Sequence, residues 1–282
     1  MTVDLVPITD ADVAAAADFL RANLDDRVPW ARVCSALPWK VDAPNHGFLL
    51  RDGRRIVGVH LAFYSERLIA GKRERFCNLG AWCVLPEFRF HSIRLLRELL
   101  AQDGYHFTGL SPSDKVLPIH ALFQFRYLNT SAALIPHLPW PGVPGLTRIS
   151  ADPDVIERRL AGAELELYRD HAQTAAARHL VLTRHQVSCY VIYREMRYKS
   201  VPVLAVILHV SNPGLFHQAM IPLTRYLLVR RRLVATLAEL RIIGHRPHLS
   251  FRLNSWPKTY RSSSLEAEQI DDLYSELVCV PW

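Results

Sequence analysis

Three basic side chains, Arg89, His91 and Arg94, follow an apolar segment that ends at Pro86 in the sequence WCVLPEFRFHSIRLLRELL (82–100). The apolar segment predicts a β-strand, and the residues after it predict an amphipathic helix. The first turn of a helix has N–H groups without intrahelical partners, and guanidinium groups bind phosphate oxygens through paired hydrogen bonds. The stretch therefore predicts a phosphate site, although an ordinary strand-to-helix turn with solvated arginines accounts for the same residues.

This stretch resembles the phosphate turn of the GNAT (GCN5-related N-acetyltransferase) family, which transfers an acyl group from acyl-CoA to an amine or a hydroxyl. In that family a strand ending V-x-P precedes R/Q-x-x-G-x-G/A at the head of a helix. Val84-Leu85-Pro86 matches the strand end, Arg89 matches the first basic position, and Ser92 and Arg94 stand at the two small-residue positions. Arg94 is bulky where the family brings its backbone close to the pyrophosphate.

The resemblance implies that acetyl-CoA or another acyl-CoA is the donor substrate. It also implies a set of residues that contact this donor: Trp82, Cys83, Val84, Arg89, Phe90, His91, Ser92, Ile93, Arg94 and Ser113.

A second family motif runs from an Asn through a Tyr to a closing Gly-Phe pair. Aligning it with SDKVLPIHALFQF sets Ser113 at the Asn, His120 at the Tyr, Gln124 at the Gly and Phe125 at the closing aromatic. The Tyr often protonates the departing thiolate in this family. The alignment therefore implies His120 as this acid, because imidazole titrates near neutral pH. A packed or solvent-facing helix histidine is the alternative.

The remaining catalytic candidates lie on or beside the predicted strand before Pro86. The family bulges this strand to expose an N–H to the acyl carbonyl, which Ala81 to Val84 would supply here. Glu74, Glu87 and His60 are candidate general bases, and their spacing does not decide among them. We include Glu74 and Cys83 with His120 in the predicted catalytic set, although a buried structural thiol also explains Cys83.

The first half of the chain has the predicted order β-α-α-β-β-β-α-β-α-β. Thr9 or Asp10 is the expected N-cap of the first helix, RDGR and IAGKR are expected hairpin turns, and RYLNTSAALI is an expected strand. The proline-rich segment 136–145 predicts a linker. The fold class implied is α/β (α+β): a GNAT-like, mixed, mostly antiparallel central sheet flanked by helices, and duplicated.

The second half predicts helices at 152–171, 212–229 and 264–278, with strands between them and a possible kink at Pro222. Its strand–turn–helix at 201–220 copies that of the first half but lacks the basic residues. We therefore expect an acyl-CoA-binding domain at 1–140 and a degenerate GNAT-like domain at 141–282. The second domain would bind no cofactor and would wall the acceptor site.

Composition narrows the class of protein. The chain has 282 residues, of which 50% are hydrophobic and 22% charged, and its net charge of +7 favours an anionic partner. The five cysteines are scattered without a CxxC pair, so no disulfide framework or metal site is predicted. Acidic residues near the N-terminus argue against a signal peptide, and the longest apolar run, 201–210, is half the length of a membrane span. We expect a cytoplasmic protein.

Two charged segments carry further hypotheses. Residues 225–246 contain six arginines and one glutamate, so they could bind RNA or anionic lipid, or serve as a solvated helix end. Asp271, Asp272, Tyr274 and Glu276 lie on the expected last helix and either face the acceptor or form an exposed acidic face.

These observations predict an acyltransferase in which a small or carbohydrate-linked amine or hydroxyl attacks a thioester directly. An aminoacyl-tRNA- or acyl-carrier-protein-dependent transferase is the alternative, since that class also pairs two GNAT-like halves and the chain is basic. A catalytically degenerate binding module is the second alternative. A small-molecule acceptor is the expected partner, DNA is not expected, and the sequence does not define an oligomeric state.

Overall fold

The structure is a computed structural model that describes residues 3–35, 37–141, 147–198 and 201–281. Its residues fall into two compact units. The first comprises Met1–Leu128, Lys258–Ile270 and Tyr274–Val280, and the second comprises Asn129–Pro257, Asp271–Leu273 and Pro281–Trp282. Each unit is built on its own mixed sheet.

The sheet of the first unit has seven strands within the described residues, in the order β1-β2-β3-β4-β5-β14-β6. Only β4 and β5 pair in parallel. The strands are β1 (Val3–Pro7), β2 (Gly47–Asp52), β3 (Arg55–Ile69), β4 (Lys72–Val84), β5 (Tyr105–Gly109), β6 (Arg126–Tyr127) and β14 (Thr259–Arg261).

The sheet of the second unit repeats this arrangement, in the order β8-β9-β10-β11-β12-β7-β13. Among the described residues of this sheet, only β11 and β12 pair in parallel. The strands are β7 (Ser131–Pro136), β8 (Thr147–Ser150), β9 (Ala177–Arg184), β10 (Val187–Tyr198), β11 (Val201–Val210), β12 (Ala235–Glu239) and β13 (Phe251–Asn254).

The helices follow the same repeat. In the first half they are α1 (Val13–Asn23), α2 (Trp30–Ser35), α3 (Ser92–Leu100) and α4 (Leu117–Leu122). In the second half they are α5 (Pro153–Arg159), α6 (Gly162–His171), α7 (Pro213–Gln218), α8 (Met220–Arg231), α9 (Leu240–Ile243) and α10 (Glu276–Cys279). The pair α7–α8 stands between β11 and β12, as α3 stands between β4 and β5.

The two sheets exchange one strand each. Strand β7 comes from the first half of the chain but pairs with β12 and β13, whereas β14 comes from the second half but pairs with β5 and β6. The two sheets therefore have equivalent strand orders. Strands β1 to β6 of the first sheet correspond to β8 to β13 of the second, and the exchanged strands β14 and β7 occupy equivalent positions. This confirms the predicted duplication and the predicted mixed, mostly antiparallel sheets flanked by helices.

The amphipathic patterns explain most of these elements. Strand β3 is continuously buried from Val57 to Ser65 because both faces of its sheet are covered. The predicted amphipathic helix is α3, in which Leu95, Leu96 and Leu99 are buried and Ile93 and Leu100 are half-buried. The predicted turn at 70–71 is left-handed, with Ala70 at φ 50° and Gly71 at φ 82°.

Several predicted boundaries differ from the structure. The expected strand RYLNTSAALI is two strands, since the chain leaves the first sheet after β6 and enters the second as β7. The units therefore do not divide between residues 140 and 141. Of the expected linker, Pro136 lies in β7 and the buried His137 hydrogen-bonds the carbonyl of Leu233 and Thr236 Oγ1, while 142–145 lie outside the described residues.

Three helix predictions also change. Asp12, and not Thr9 or Asp10, precedes α1; the Thr9 hydroxyl donates to its carboxylate. The helix break near Pro222 falls at Ala219, where α7 meets α8. The helix expected at 264–278 is absent from the described residues: a 3-10 turn spans Ala267–Gln269, and α10 begins at Glu276.

The exchanged strand β14 lies inside its sheet, so we expect a Tyr260→Pro substitution to destabilise the protein by about 2–3 kcal/mol or more, through a lost ladder hydrogen bond and steric conflict. Phe251→Pro, at the first position of the edge strand β13, is the matched control and should cost less. Urea unfolding followed by circular dichroism measures both. Equal losses would contradict an internal position for β14.

Candidate active site

The turn between β4 and α3 is a 3-10 helix over Pro86–His91. The N–H of Phe88 donates to the carbonyl of Leu85 at 2.9 Å, and the N–H of Ser92 donates to the carbonyl of Arg89. The helical backbone therefore begins at Pro86, six residues before α3. Backbone N–H groups that the family aims at a pyrophosphate are here used within the turn.

The basic residues of this turn point in different directions. Arg94 Nη1 donates to the carbonyl of Val3 at 2.8 Å and lies 3.3 Å from Nδ1 of His91, which ties α3 to strand β1. The Arg89 side chain is exposed and makes no hydrogen bond or ion pair with the residues that the structure describes, and the Phe90 side chain is 96% exposed. Arg89 and Phe90 are thus available to a ligand, whereas Arg94 has a structural bond.

Four other residues were predicted to contact the donor: Val84, Ser92, Ile93 and Ser113. Ser92 opens α3, Ile93 is half-buried, and Val84 packs against the core. Ser113 is exposed, and its carbonyl accepts the N–H groups of Val116 and Leu117 at the start of α4.

Strands β4 and β5 pair only over a short parallel stretch, from Arg75 with Tyr105 to Asn78 with Thr108. Strand β4 continues to Val84 beside β3, so its last six residues extend past the end of this pairing. The register between β3 and β4 shifts by one residue in this section, which places a bulge opposite Leu61. The bulge predicted before Pro86 is therefore present.

Gly80 lies in the bulge because a side chain does not fit there. A Cβ on Gly80 would lie 2.4 Å from Cε2 of Phe63 in the neighbouring strand. The small residue thus lets β4 bend away while Phe63 stays buried.

Two buried polar atoms lie beside the bulge. His60 and Trp82 are paired across β3 and β4 and stack with ring centroids 4.6 Å apart. Nδ1 of His60 and Nε1 of Trp82 are buried and have no hydrogen-bond partner among the described residues. Burial and the neighbouring His120 lower the pKa of His60 to about 3, so this imidazole is neutral at pH 7 and is not a strong general base. The indole N–H can donate to an acceptor atom of a ligand.

His120 is buried on the same face of the sheet. Its Nδ1 lies 2.8 Å from Oγ1 of Thr259, and its ring stacks on Phe125 at 4.4 Å. Gly109 makes room for it, since a Cβ there would lie 2.6 Å from Cε1 of His120. Burial lowers the pKa of His120 to about 4. The neutral ring can hydrogen-bond a thioester or thiolate, but at pH 7 it holds no extra proton to give.

Glu74 and Cys83 have other partners. Glu74 lies at the start of β4, where its carboxylate is 3.0 Å from Nε2 of His106 and 2.8 Å from Nζ of Lys72, and these bonds lower its pKa. Nδ1 of His106 in turn lies 2.9 Å from Oγ of Ser262, so this chain of contacts joins three segments of the first unit. The thiol of Cys83 approaches the carbonyl of Asn23 at 3.6 Å, and burial raises its pKa, as expected for an unreactive cysteine.

Glu276, which the sequence analysis placed on an expected last helix, is a buried carboxylate that lies where β4 and β5 part. Glu276 is fully buried, its backbone N–H donates to Oδ1 of Asn78 at 2.9 Å, and Oε1 accepts from Oγ of Ser111 at 2.9 Å. The Asn78 amide also donates to Oγ1 of Thr108 at 3.1 Å, which spans the last pair of the two strands. The acidic residues near the C-terminus therefore do not form an exposed helical face.

Several side chains of the other charged segments form ion pairs or hydrogen bonds within the protein. Asp272 is buried and accepts from Nη2 of Arg241, whose Nε donates to Glu239. In the basic segment 225–246, Arg231 pairs with Glu195, and Arg225 donates to the carbonyl of Trp140. The described residues contain no group of His, Cys, Asp or Glu that could hold a metal ion. None of their helices has the length and apolar character required to cross a membrane.

The buried neutral histidines predict a pH-dependent stability. Because the folded pKa values of His60 and His120 lie below the ordinary value of about 6.5, the unfolded chain binds more protons in the window between. Stability should thus fall as pH drops from 6.5 to 4.5, by about 2 kcal/mol for each histidine at 1.36 kcal/mol per pKa unit.

Urea unfolding of the wild type and His120→Gln at both pH values measures this effect, since the variant removes one titrating group. His185→Asn, in an exposed left-handed turn, is the control and should leave the pH dependence unchanged. A His120→Gln protein with the full wild-type loss would show that His120 does not titrate in this window.

The chain is similar to solved structures of GCN5-related N-acetyltransferases. A GCN5-related N-acetyltransferase from Anabaena variabilis has a TM-score of 0.59 at 11% identity, covering 92% of this chain and 72% of that one. A putative acetyltransferase from Pyrococcus horikoshii has a TM-score of 0.53 at 12% identity, covering 96% and 92%. A GCN5-related glucosamine N-acetyltransferase region of a fungal multi-domain β-N-acetylglucosaminidase has a TM-score of 0.56 at 13% identity, covering 92% and 38%.

No protein-family model matches the sequence, and no curated protein sequence gives a significant match. These structural likenesses nevertheless extend over more than nine-tenths of this chain and show its fold. The chain has a tandem GNAT-like fold.

Proposed function

We propose that this protein is a GNAT-type acyltransferase that moves an acyl group from acyl-CoA to an amine or a hydroxyl. The parting of β4 and β5 carries the proposal. It leaves a bulged strand end beside the unpartnered N–H of Trp82, and a buried carboxylate at the point of parting. An extended chain with amide groups, such as the pantetheine arm of CoA, can pair with a free strand end. The fold likeness supports this general class, and the acceptor and acyl chain are part of the proposal.

In the proposed reaction each residue has a separate role. Arg89 would bind a phosphate of CoA, and the N–H of Trp82 would hydrogen-bond a carbonyl of the donor. The acceptor's lone pair attacks the thioester carbonyl carbon, the carbon–sulfur bond breaks, and the electron pair leaves on the thiolate. Glu276 would receive the acceptor's proton, since a carboxylate is the ordinary base for this step when it is positioned. In this scheme His120 hydrogen-bonds near the sulfur, and the proton that Glu276 takes up passes through water to the thiolate, so that CoA leaves as the free thiol and Glu276 is again a carboxylate.

Amines of small sugars are the first acceptors to test, because a neighbour of the same fold is described as a glucosamine N-acetyltransferase region. Release of free thiol from acetyl-CoA and longer acyl-CoAs, with amino sugars and simple amines, measures the reaction. Thiol release that depends on an acceptor supports the proposal. Acyl-CoA binding without transfer to any acceptor would instead favour a degenerate binding module.

Arg89→Ala should weaken CoA binding by about 1.5–3 kcal/mol, the range for a hydrogen bond to a charged group. Arg97→Ala, in the last turn of α3, which follows the turn that carries Arg89, is the matched control and should bind as the wild type does. Arg94→Ala should lower stability instead, because it removes the bond to strand β1. Calorimetric titration with CoA separates these effects, and unchanged affinity in Arg89→Ala would remove this residue from the phosphate site.

Glu276→Gln should lower kcat/KM for acceptor by about 10²–10⁴-fold, while CoA affinity stays within twofold. The variant keeps the side-chain shape and an oxygen for Ser111 but cannot take a proton. Ser111→Ala, which removes the partner and leaves the carboxylate, should reduce the rate less. A Glu276→Gln enzyme with the wild-type rate and pH profile would exclude this carboxylate as the base.

A further inference from the structure

We propose that the second unit has its own ligand site, which takes a phosphate monoester attached to an apolar or planar body. The site is a pocket of about 450 Å³, a size typical of small-molecule sites. Its walls come from the end of β7, from α7 and α8, and from the segment after α9. This goes beyond the acyl transfer proposed for the first unit and does not depend on it.

The repeat gives this pocket a defined place in the fold. Strand β11 carries a one-residue register shift against β10 near its end, as β4 does against β3. It pairs in parallel with β12 only from Leu204 to Val206, and α7 and α8 follow it. The pocket lies beside α7 and α8, which stand between β11 and β12 as α3 stands between β4 and β5. The sequence predicts this correspondence at 201–220, although the turn after β11 has no basic residue of the family pattern.

The lining is cationic and has no acidic residue. Arg246, His245 and His248 are exposed at one side of the pocket, and the ring of His245 stacks on His217 at 3.7 Å. Nε2 of His217 lies 2.8 Å from the carbonyl of Ile243, which can only accept, so this nitrogen carries the hydrogen. Arg246 takes part in no ion pair within the described residues. A guanidinium beside imidazoles, without a competing carboxylate, suits a phosphate.

The opposite wall is apolar and firmly held. Leu138, Trp140, Ile221 and Leu249 form this apolar part of the lining. His137 anchors this wall, since both of its ring nitrogens are bonded and its side chain is buried. Nε of Arg225 donates to the carbonyl of Trp140 at 3.1 Å. Leu138, Ile221 and Leu249 are 41%, 50% and 61% exposed, so a ligand with an apolar body would cover them.

Calorimetric titration of the full chain with hexyl phosphate and with AMP tests the site. Hexanol and inorganic phosphate are the controls, because they carry only the apolar part and only the anionic part of hexyl phosphate. The apolar and anionic parts should both be required, so each half alone should bind at least about tenfold more weakly. Preference for hexyl phosphate would indicate a lipid-like ligand, and preference for AMP a nucleoside. Either result supports the site if the variants behave as follows.

Arg246→Ala should weaken the preferred probe about 10-fold or more, and Trp140→Ala should weaken it about as much while leaving inorganic phosphate unchanged. Arg230→Ala, exposed at the far end of α8, is the matched control and should bind as the wild type does. The proposal is overturned if neither probe binds at millimolar concentration or if Arg246→Ala binds as the wild type does. It is also overturned if only Arg89→Ala weakens binding, since the probe would then occupy the first unit.

Discussion

The arrangement of the first unit depends on the separation of the parallel strands β4 and β5 after Asn78. Asn78 is the last residue of β4 that pairs with β5, and its side-chain amide replaces the next rung of the ladder. Its oxygen at the same time holds the N–H of Glu276. Buried polar groups are normally hydrogen-bonded, and the Asn78 side chain meets this requirement through Thr108 and the N–H of Glu276. These bonds allow the two strands to separate at this point. The strand end and the buried carboxylate beside it both depend on this residue.

The exchange of β7 and β14 makes each sheet depend on both halves of the sequence. In the first sheet the carbonyl of Gly109 and the ring of His120 meet Thr259, which lies 139 residues further along the chain than His120. Such contacts give the fold a high share of long-range pairs, which form late in folding. A consequence is that the first 140 residues do not contain all of the first unit's sheet, although the composition of the proline-rich segment suggests a boundary there.

Local patterns identified the elements whose physics is local. Alternating and continuous apolar runs located β2 to β5 and β9 to β11, and the apolar stripe located α3. The proline and the turn glycines marked the ends of strands. By contrast, the final segment has the composition of an amphipathic helix, yet its acids are used in the interior: Asp272 bonds Arg241 and Glu276 bonds Ser111. Burial of charged groups with distant partners overrides helix propensity, and nothing in a single sequence announces those partners.

By itself, the sequence determined the GNAT-like order of elements, the strand that ends at Pro86, the duplication and the cationic character of the turn. Only the tertiary structure decided the orientation and the protonation state of the side chains, because both depend on packing against distant segments. It turned Arg94 toward Val3 and left Arg89 in solvent. It made His120 a neutral, buried ring, and it brought Glu276 to Asn78 from 198 residues away. Hydrogen bonds and burial between distant segments control these properties, and residue type and local spacing do not encode them.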